Sequence, residues 1–233
     1  MSAVRGARER ARTEITAAIK DEARRQLADQ GAAKLSLRAV ARELGMVSSA
    51  LYRYFPSRDD LLTALIVDAY DAIGDSAEAA LAGAGPAADR TRWVTVCAAV
   101  RGWALAHPHE YALIYGSPVP GYTAPSATIG PASRVALALI SVVADAYRTD
   151  GLALPPVAVA LRPEAERLAA EITPELPPAA AVALVAAWAQ LFGTISFELF
   201  GQFNRVVTDR DAFFGQTAET LADSVGLLRG EQA

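Results

Sequence analysis

The chain has 233 residues, of which 52% are hydrophobic and 21% charged, and its formal net charge at pH 7 is −4. This composition excludes a mainly disordered chain, and the single cysteine, Cys97, excludes intrachain disulfides and multi-cysteine zinc sites. The longest uninterrupted apolar run, 179–189, is too short for a bilayer span, and the arginine-rich N-terminus lacks the apolar segment of a secretory signal. We therefore expect a cytoplasmic protein of one or two domains that has no membrane partner.

The charge is divided unevenly along the chain. Residues 1–58 contain 12 Lys and Arg against 6 Asp and Glu, whereas residues 59–233 contain 10 against 20. A basic segment joined to an acidic body is typical of a module that binds a polyanion. An arginine-rich solvated helix face would give the same bias, so the residue pattern within the basic segment has to decide.

Four helices are predicted in the N-terminal part of the chain. Apolar residues spaced four apart predict an amphipathic helix over 7–30. Two short helices follow over 37–44 and 48–54, and a long one begins at Arg58 and fades near Ala82. The residues suited to begin or end these helices are Gly31, Ser36, Gly45, Ser48 and the pair Ser57 and Asp60, which resembles a capping box.

Helical patterns continue beyond the turn-forming residues 83–86. The sequence shows no convincing strand alternation and no internal repeat, so we predict an all-α fold. The predicted helices cover 89–106, 108–115, 132–148, 164–171, 179–203 and 209–228, with a loop over 116–131.

Residues 36–55 have the pattern of a helix-turn-helix unit, because two short helices are separated by a glycine-containing turn. The second helix of such a unit enters the major groove of DNA, which places Ser48 and Ser49 towards base edges and the following residues towards phosphates. An ordinary helix hairpin with half-buried Tyr52 and Tyr54 is the alternative. The predicted DNA-binding residues are Ser36, Arg38, Ser48, Ser49, Tyr52, Arg53, Tyr54, Ser57 and Arg58.

Residues 8–65 resemble the DNA-binding head of TetR-family repressors. The resemblance is carried by Leu35–Ala41, Leu44-Gly45, Ala50–Pro56 and Ser57–Leu62. It implies an all-helical homodimer that binds a palindromic operator in double-stranded DNA and releases it when a small-molecule effector binds the body. Two residues depart from the family pattern: Val47 replaces the usual Ser or Thr, and Tyr54 replaces a frequent His. We expect Ser48 to take over the cap.

The predicted domains are a helix-turn-helix DNA-binding domain over 1–57 and a ligand-binding and dimerisation domain over 58–233. Within the second, 107–116 and 188–193 are similar to a TetR subgroup with a Trp-x-x-x-x-Gly signature. Its aromatic residues predict a site for a small, mostly apolar effector, although each of them could simply fill a helical core. The predicted ligand-binding residues are Trp103, Tyr111, Tyr115 and Trp188.

The last two predicted helices are rich in phenylalanine. A protein that reads a symmetric operator needs a two-fold partner, so we assign these helices mainly to a dimer interface, with core packing as the alternative. The predicted interface residues are Phe192, Ser196, Leu199, Phe203, Phe213, Thr217 and Leu221.

Metal binding and catalysis have little support in the sequence. His107 and His109 are two residues apart, unlike the i, i+4 pair of a helical zinc site, and Cys97 lies in an apolar stripe. We therefore predict no metal, no cofactor and no enzymatic activity. The alternative is a helical enzyme that processes a small molecule and carries a basic N-terminal region, and gel-shift competition would separate the two.

Overall fold

The computed structural model describes residues 2–229, with side chains from residue 6 onwards. In this part of the chain the fold is all-α, as predicted: it has ten α-helices and, in place of any strand, one isolated bridge between Leu152 and Leu227. The helices are α1 Ser2–Gln30, α2 Leu37–Glu43, α3 Ser48–Leu51, α4 Arg58–Ala84, α5 Asp89–Ala106, α6 Pro108–Tyr115, α7 Ile129–Arg148, α8 Arg162–Ile172, α9 Pro178–Leu199 and α10 Arg210–Ser224.

The chain forms two compact units. The head unit contains the residues through Tyr70 together with His107–Ile129, and the body unit contains Asp71–Ala106 and the residues from Gly130 onwards. Helix α6 belongs to the head unit, where its Glu110 pairs with Arg24 of α1 at 3.1 Å. Helix α4 begins in the head unit and ends in the body unit. These units describe packing, and the functional boundary at residue 57 stays a prediction.

The head unit is built around the apolar face of α1. Ile19, Ala23 and Leu27 are buried at the four-residue spacing that the sequence showed. They pack in one cluster with residues of α2, α3 and α4, including Leu51 and Leu61. Burial of this stripe explains why a helix as polar as α1 is stable.

Two of the three predicted serine caps form. The Ser36 hydroxyl accepts a hydrogen bond from the Ala39 backbone N–H at 3.4 Å, and Ser57 accepts one from the Asp60 N–H at 3.1 Å. The cap predicted at Ser48 is wrong: Ser48 is the first helical residue, and Val47 occupies the cap position without a side-chain hydrogen bond. Helix α3 is also shorter than predicted.

The body unit has its core between α5, α7, α9 and α10. Trp93, Val100, Leu139, Leu191 and Leu221 are among its buried side chains. Two segments, Ser126–Arg148 and Pro178–Leu199, are long and apolar enough to span a membrane by length and composition. The core helix of a soluble protein meets the same criterion, and both segments contribute buried residues to this core.

Helix α9 ends four residues earlier than predicted. Gly201 has a φ of 86°, a left-handed conformation that ends a helix readily in glycine, and a turn follows it. Phe203 therefore lies in this turn, outside the helical spacing that the sequence assigned to it. Asp209 then begins α10 by accepting a hydrogen bond from the Ala212 N–H at 2.9 Å.

Arg134 of α7 joins α7 to α4 within the body unit. Its guanidinium bonds Asp71 at 3.1 Å and Glu78 at 2.6 Å, and it also bonds Asp75. Gly74 provides the space, because a Cβ atom there would lie 2.8 Å from the Cβ of Arg134. Hydrogen bonding to Arg134 lowers the pKa of Glu78.

Candidate nucleic-acid interface

Five of the nine predicted DNA-binding residues line one surface cleft of the head unit. The cleft has a volume of about 450 Å³ and is formed by the start of α2, the end of α3 and the start of α4. Residues separated by up to 22 positions in the chain thus share one surface. The predicted residues that line it are Ser36, Arg38, Tyr52, Ser57 and Arg58.

Five of the predicted residues are exposed to solvent. They are Arg38, Ser49, Arg53, Ser57 and Tyr52, which is 41% exposed although it is aromatic. Tyr52 lines the cleft together with Arg38, and a tyrosine hydroxyl can bond a phosphate oxygen, which makes Tyr52 a candidate for contact with DNA. Ser48, at the first position of α3, is half-buried.

Arg58 connects the two sides of the cleft through hydrogen bonds to the backbone. Its guanidinium donates hydrogen bonds to the backbone carbonyl oxygens of Leu35 at 3.2 Å, Ala32 at 2.8 Å and Ala33 at 3.3 Å. These bonds hold the segment before α2 against the start of α4. Asp59 lies 3.6 Å away, so the positive charge is partly balanced.

Tyr54 has a packing role of the kind that the alternative interpretation describes. It is half-buried against the apolar cluster of the head unit, and the guanidinium of Arg12 lies 5.4 Å from the centre of its ring. Cation–π contact at this distance stabilises both side chains. The hydroxyl of Ser57 is also engaged, since it donates to the Asp60 carboxylate at 2.7 Å.

The arrangement provides the groups that DNA recognition requires. Guanidinium groups and hydroxyls bind phosphate oxygens, and small hydroxyl side chains on a short helix can bond base edges. The cleft supplies the first kind through Arg38 and Arg58, and Ser49 on α3 supplies the second.

The predicted ligand-binding residues divide between the two units. In the head unit, the rings of Tyr111 and Tyr115 lie 5.1 Å apart, and Tyr70 packs edge-on against Tyr115 at 5.9 Å. Burial raises the pKa of Tyr115, so its hydroxyl stays neutral. In the body unit, Trp103 is only 8% exposed, whereas Trp188 is 39% exposed and lines an apolar cavity. The sequence did not reveal this cavity, because it arises from how α7, α8 and α9 pack.

The predicted dimer residues differ in how much surface they offer. Phe192 and Leu221 are 6% and 1% exposed, because both fill the core of their own body unit, so they have almost no surface left for a second copy. Ser196, Leu199, Phe203 and Thr217 are half-buried, and Phe213 is 42% exposed. Two further exposed residues of α9 and its end, Phe197 at 52% and Phe200 at 45%, escaped the sequence analysis.

These phenylalanines form one exposed aromatic patch, which we define as Phe197, Phe200, Phe203 and Phe213. The ring centre of Phe203 lies 5.8 Å from the ring centre of Phe197 and 5.3 Å from that of Phe213. The signal that could have found the two missed residues is their spacing, because Phe197 and Phe200 are three positions apart and so lie on one side of the end of α9.

Neither metal nor thiol chemistry gains support from the side chains described. Between residues 6 and 229, no three His, Cys, Asp or Glu side chains are grouped as ligands for a metal ion. Burial raises the pKa of the Cys97 thiol to about 12, so it is protonated at neutral pH.

Two family models match the chain. Residues 19–65 match "Bacterial regulatory proteins, tetR family", and residues 93–221 match "Tetracyclin repressor-like, C-terminal domain". The HTH-type transcriptional regulator Rv1816 of Mycobacterium tuberculosis is 42% identical over 224 residues, covering 93% of this chain and 94% of its own. A regulator of Mycobacterium bovis, Mb1846, has the same identity and coverage.

Solved structures agree with these relatives. The putative regulatory protein SCO4313 superposes with a TM-score of 0.76 at 35% identity, covering 92% of this chain and 98% of its own. A Rhodococcus protein of unknown function superposes with a TM-score of 0.67 at 22% identity, covering 92% and 95%, which shows a shared fold.

Proposed function

The chain belongs to the TetR family of bacterial regulatory proteins and is a transcriptional regulator, and on this premise we propose that it is a homodimeric repressor of palindromic operators. A small apolar effector releases it from DNA. The observation that carries the DNA-binding part is the cleft that gathers Ser36, Arg38, Tyr52, Ser57 and Arg58.

Each half of a palindromic operator takes one head unit. Ser49 bonds base edges, because it is exposed on α3, and Arg38, Tyr52 and Arg53 bind the flanking phosphates. Arg58 contributes its charge and keeps the cleft in shape through the carbonyls of Ala32 and Leu35.

The exposed aromatic patch supports dimerisation. Phe197, Phe200 and Phe213 are each more than 40% exposed, and the rings of Phe197 and Phe213 both pack against Phe203, an arrangement that is costly in a monomer. A two-fold axis through this patch pairs identical surfaces, as in most homodimers.

Effector binding acts by population shift, since a ligand changes an equilibrium only if it prefers one of two forms. Helix α4 runs from the head unit, where Arg58 bonds the segment before α2, into the body unit, where Arg134 of α7 holds it. A displacement of α7 is thus carried into α4. A typical coupling of about 1–3 kcal/mol would change operator affinity about 5- to 150-fold.

The enzyme alternative has less support. The apolar cavity at Trp188 is lined by no charged or nucleophilic side chain other than the hydroxyl of Thr173. We therefore infer that the chain is a regulator without catalytic activity, and that it works in the cytoplasm, where its DNA is.

The test of the proposed function is selection of bound duplexes from a random pool, followed by gel shifts at several salt concentrations. We expect a palindromic site, and an affinity that falls with salt at a slope of about −0.9 per neutralised phosphate. Ser49→Ala should change the preferred bases, whereas Arg53→Gln should weaken all sequences alike. Arg167→Gln, on an exposed face of α8, is the control and should change neither. Failure to retain any duplex, or binding that is insensitive to salt, would contradict the proposal.

A further inference from the structure

The body unit contains a cavity of about 320 Å³ between α7, α8 and α9. Its volume lies near the lower limit for ligand pockets in proteins, so it suits a small molecule. Its wall carries no charged side chain. The largest side chains of the wall are Leu139 and Ile140 of α7, Leu168 and Ile172 of α8, and Leu184 and Trp188 of α9.

The one polar side chain in the wall does not present its hydroxyl to the cavity. Thr173 lines the cavity and is 2% exposed, and its Oγ1 atom has almost no accessible surface and no hydrogen bond. A molecule inside the cavity therefore meets a wall that is apolar throughout. Apolar cavities of this kind bind apolar molecules in preference to water.

We propose that this cavity binds a small, uncharged and largely hydrocarbon or aromatic molecule through apolar contacts. A charged ligand is disfavoured because its charge would be buried without a counter-ion. Trp188 lines the cavity and is 39% exposed, so it marks where the cavity borders on solvent. Only the statement that this ligand is the effector rests on the proposed function.

Four probes with the same ring and different head groups test the ligand class. Toluene, benzyl alcohol, benzoate and benzylammonium are titrated into the full-length protein, and binding is measured by calorimetry. We expect toluene and benzyl alcohol to bind, and benzoate and benzylammonium to bind at least tenfold more weakly.

Three variants test the location. Ala136→Met fills the cavity from α7 and should weaken both uncharged probes at least tenfold. Ala170→Met is the matched control, because Ala170 is exposed on α8 outside the cavity wall, and it should leave affinity unchanged. Thr173→Val removes only the hydroxyl, which is not accessible from the cavity, so both uncharged probes should bind this variant as they bind the wild type. Weaker binding of benzyl alcohol alone would contradict the wholly apolar wall.

The outcomes separate this inference from the proposed function. Charged probes that bind as well as benzyl alcohol would overturn it, as would no binding at millimolar concentration or equal effects of Ala136→Met and Ala170→Met. In any of these cases, retention of an operator would leave the DNA-binding proposal intact. If the uncharged probes bind as expected but operator affinity does not change, the cavity is a ligand site and release by this ligand is refuted. Unchanged melting temperatures of the variants show that the affinities compare folded proteins.

Discussion

Arg58 serves both the stability and the charge of the head unit. Its three hydrogen bonds to backbone carbonyls hold the segment before α2, and its side chain is 29% exposed beside the cleft. Replacement of Arg58 should therefore change both the stability of the fold and the affinity for DNA.

We expect Arg58→Ala to lower the free energy of unfolding by about 1–3 kcal/mol, because the carbonyls of Leu35 and Ala32 lose a charged donor. It should also weaken binding to every duplex alike. Urea denaturation and gel shifts measure the two effects. Arg53→Ala is the control: Arg53 is exposed, so stability should stay within about 0.5 kcal/mol while DNA binding falls. Equal stability of Arg58→Ala and the wild type would refute the supporting role.

Local chemistry made several single residues predictable. Ser36 and Ser57 cap helices because a hydroxyl next to a helix start can accept a free backbone N–H, a property of a few adjacent residues. The bonds of Arg58 to the carbonyl of Ala32, 26 positions away, depend on tertiary packing and had no sequence signal. The cap predicted at Ser48 was wrong by one position. Helix α3 begins at Ser48, so the cap position is Val47, which has no side-chain hydrogen bond to offer.

At the scale of elements, α9 and α10 each contain apolar residues that are buried and apolar residues that are exposed. Helical periodicity alone does not distinguish the two. Phe192 and Phe213 both occur in apolar helical patterns, but the first is 6% exposed and the second 42%. The two positions therefore distinguish folding from association.

Phe213→Asp and Phe197→Asp should yield folded monomers, because an unpaired charge would be buried only in the dimer. Phe192→Asp should destabilise the fold instead, by several kcal/mol, since the charge would enter the core of the protomer. Sedimentation velocity and circular dichroism measure these outcomes. Leu105→Asp, at an exposed apolar site on α5, is the control and should remain dimeric. A wild type that sediments as a monomer at micromolar concentration would contradict the interface.

The bounds of helices that begin or end at a proline or another strong helix signal could be predicted to the residue, and the bounds of others could not. The bounds of α5 and α6 match the sequence, since Pro108 can only begin a helix there. The end of α9 was misplaced because its apolar pattern runs on through Phe203, while the backbone turns at Gly201. In this turn Phe203 packs against Phe213 of α10, a tertiary contact that helical periodicity does not indicate.

At the scale of the whole molecule, arginine-centred ion pairs connect helices that are distant in sequence. Arg90 of α5 bonds Asp223 of α10 at 2.6 Å, and Arg134 bonds Glu78 of α4 at 2.6 Å. Hydrogen bonds from Arg90 and Arg229 lower the pKa of Asp223 to about 2, and Arg134 lowers that of Glu78.

Because the folded-state pKa values lie below those of the unfolded chain, these carboxylates stabilise the fold above about pH 4 and stop doing so as the pH falls towards 2. Urea midpoints should therefore decline over this interval. The effect per pair is small, since Asp223 and Glu78 are nearly half exposed to solvent. Asp223→Asn should flatten part of the decline, and Asp29→Asn, at an exposed position on α1, should not. A midpoint that is constant from pH 5 to pH 2 would refute this account.

The division into two units was the least predictable feature. The basic charge and the helix-turn-helix pattern located the DNA-binding segment, because both are properties of residues that are close in sequence. The inclusion of α6 in the head unit depends on the pair between Arg24 and Glu110, 86 positions apart in the sequence, and on the bond between Thr63 and Tyr122. Neither contact can be recognised from helical periodicity in the sequence, and the same is true of the cavity between α7, α8 and α9.

The close approach of Gly74 to Arg134 also limits how position 74 can evolve. A methyl group at position 74 would lie 2.8 Å from the Cβ atom of Arg134. Every residue except glycine has that Cβ atom, so loss of the guanidinium alone would not make room for alanine, although alanine is the better helix former by about 1 kcal/mol. The constraint therefore lies in the spacing of α4 and α7. Homologues in which these two helices pack as closely should keep glycine at position 74 even where the arginine has been replaced.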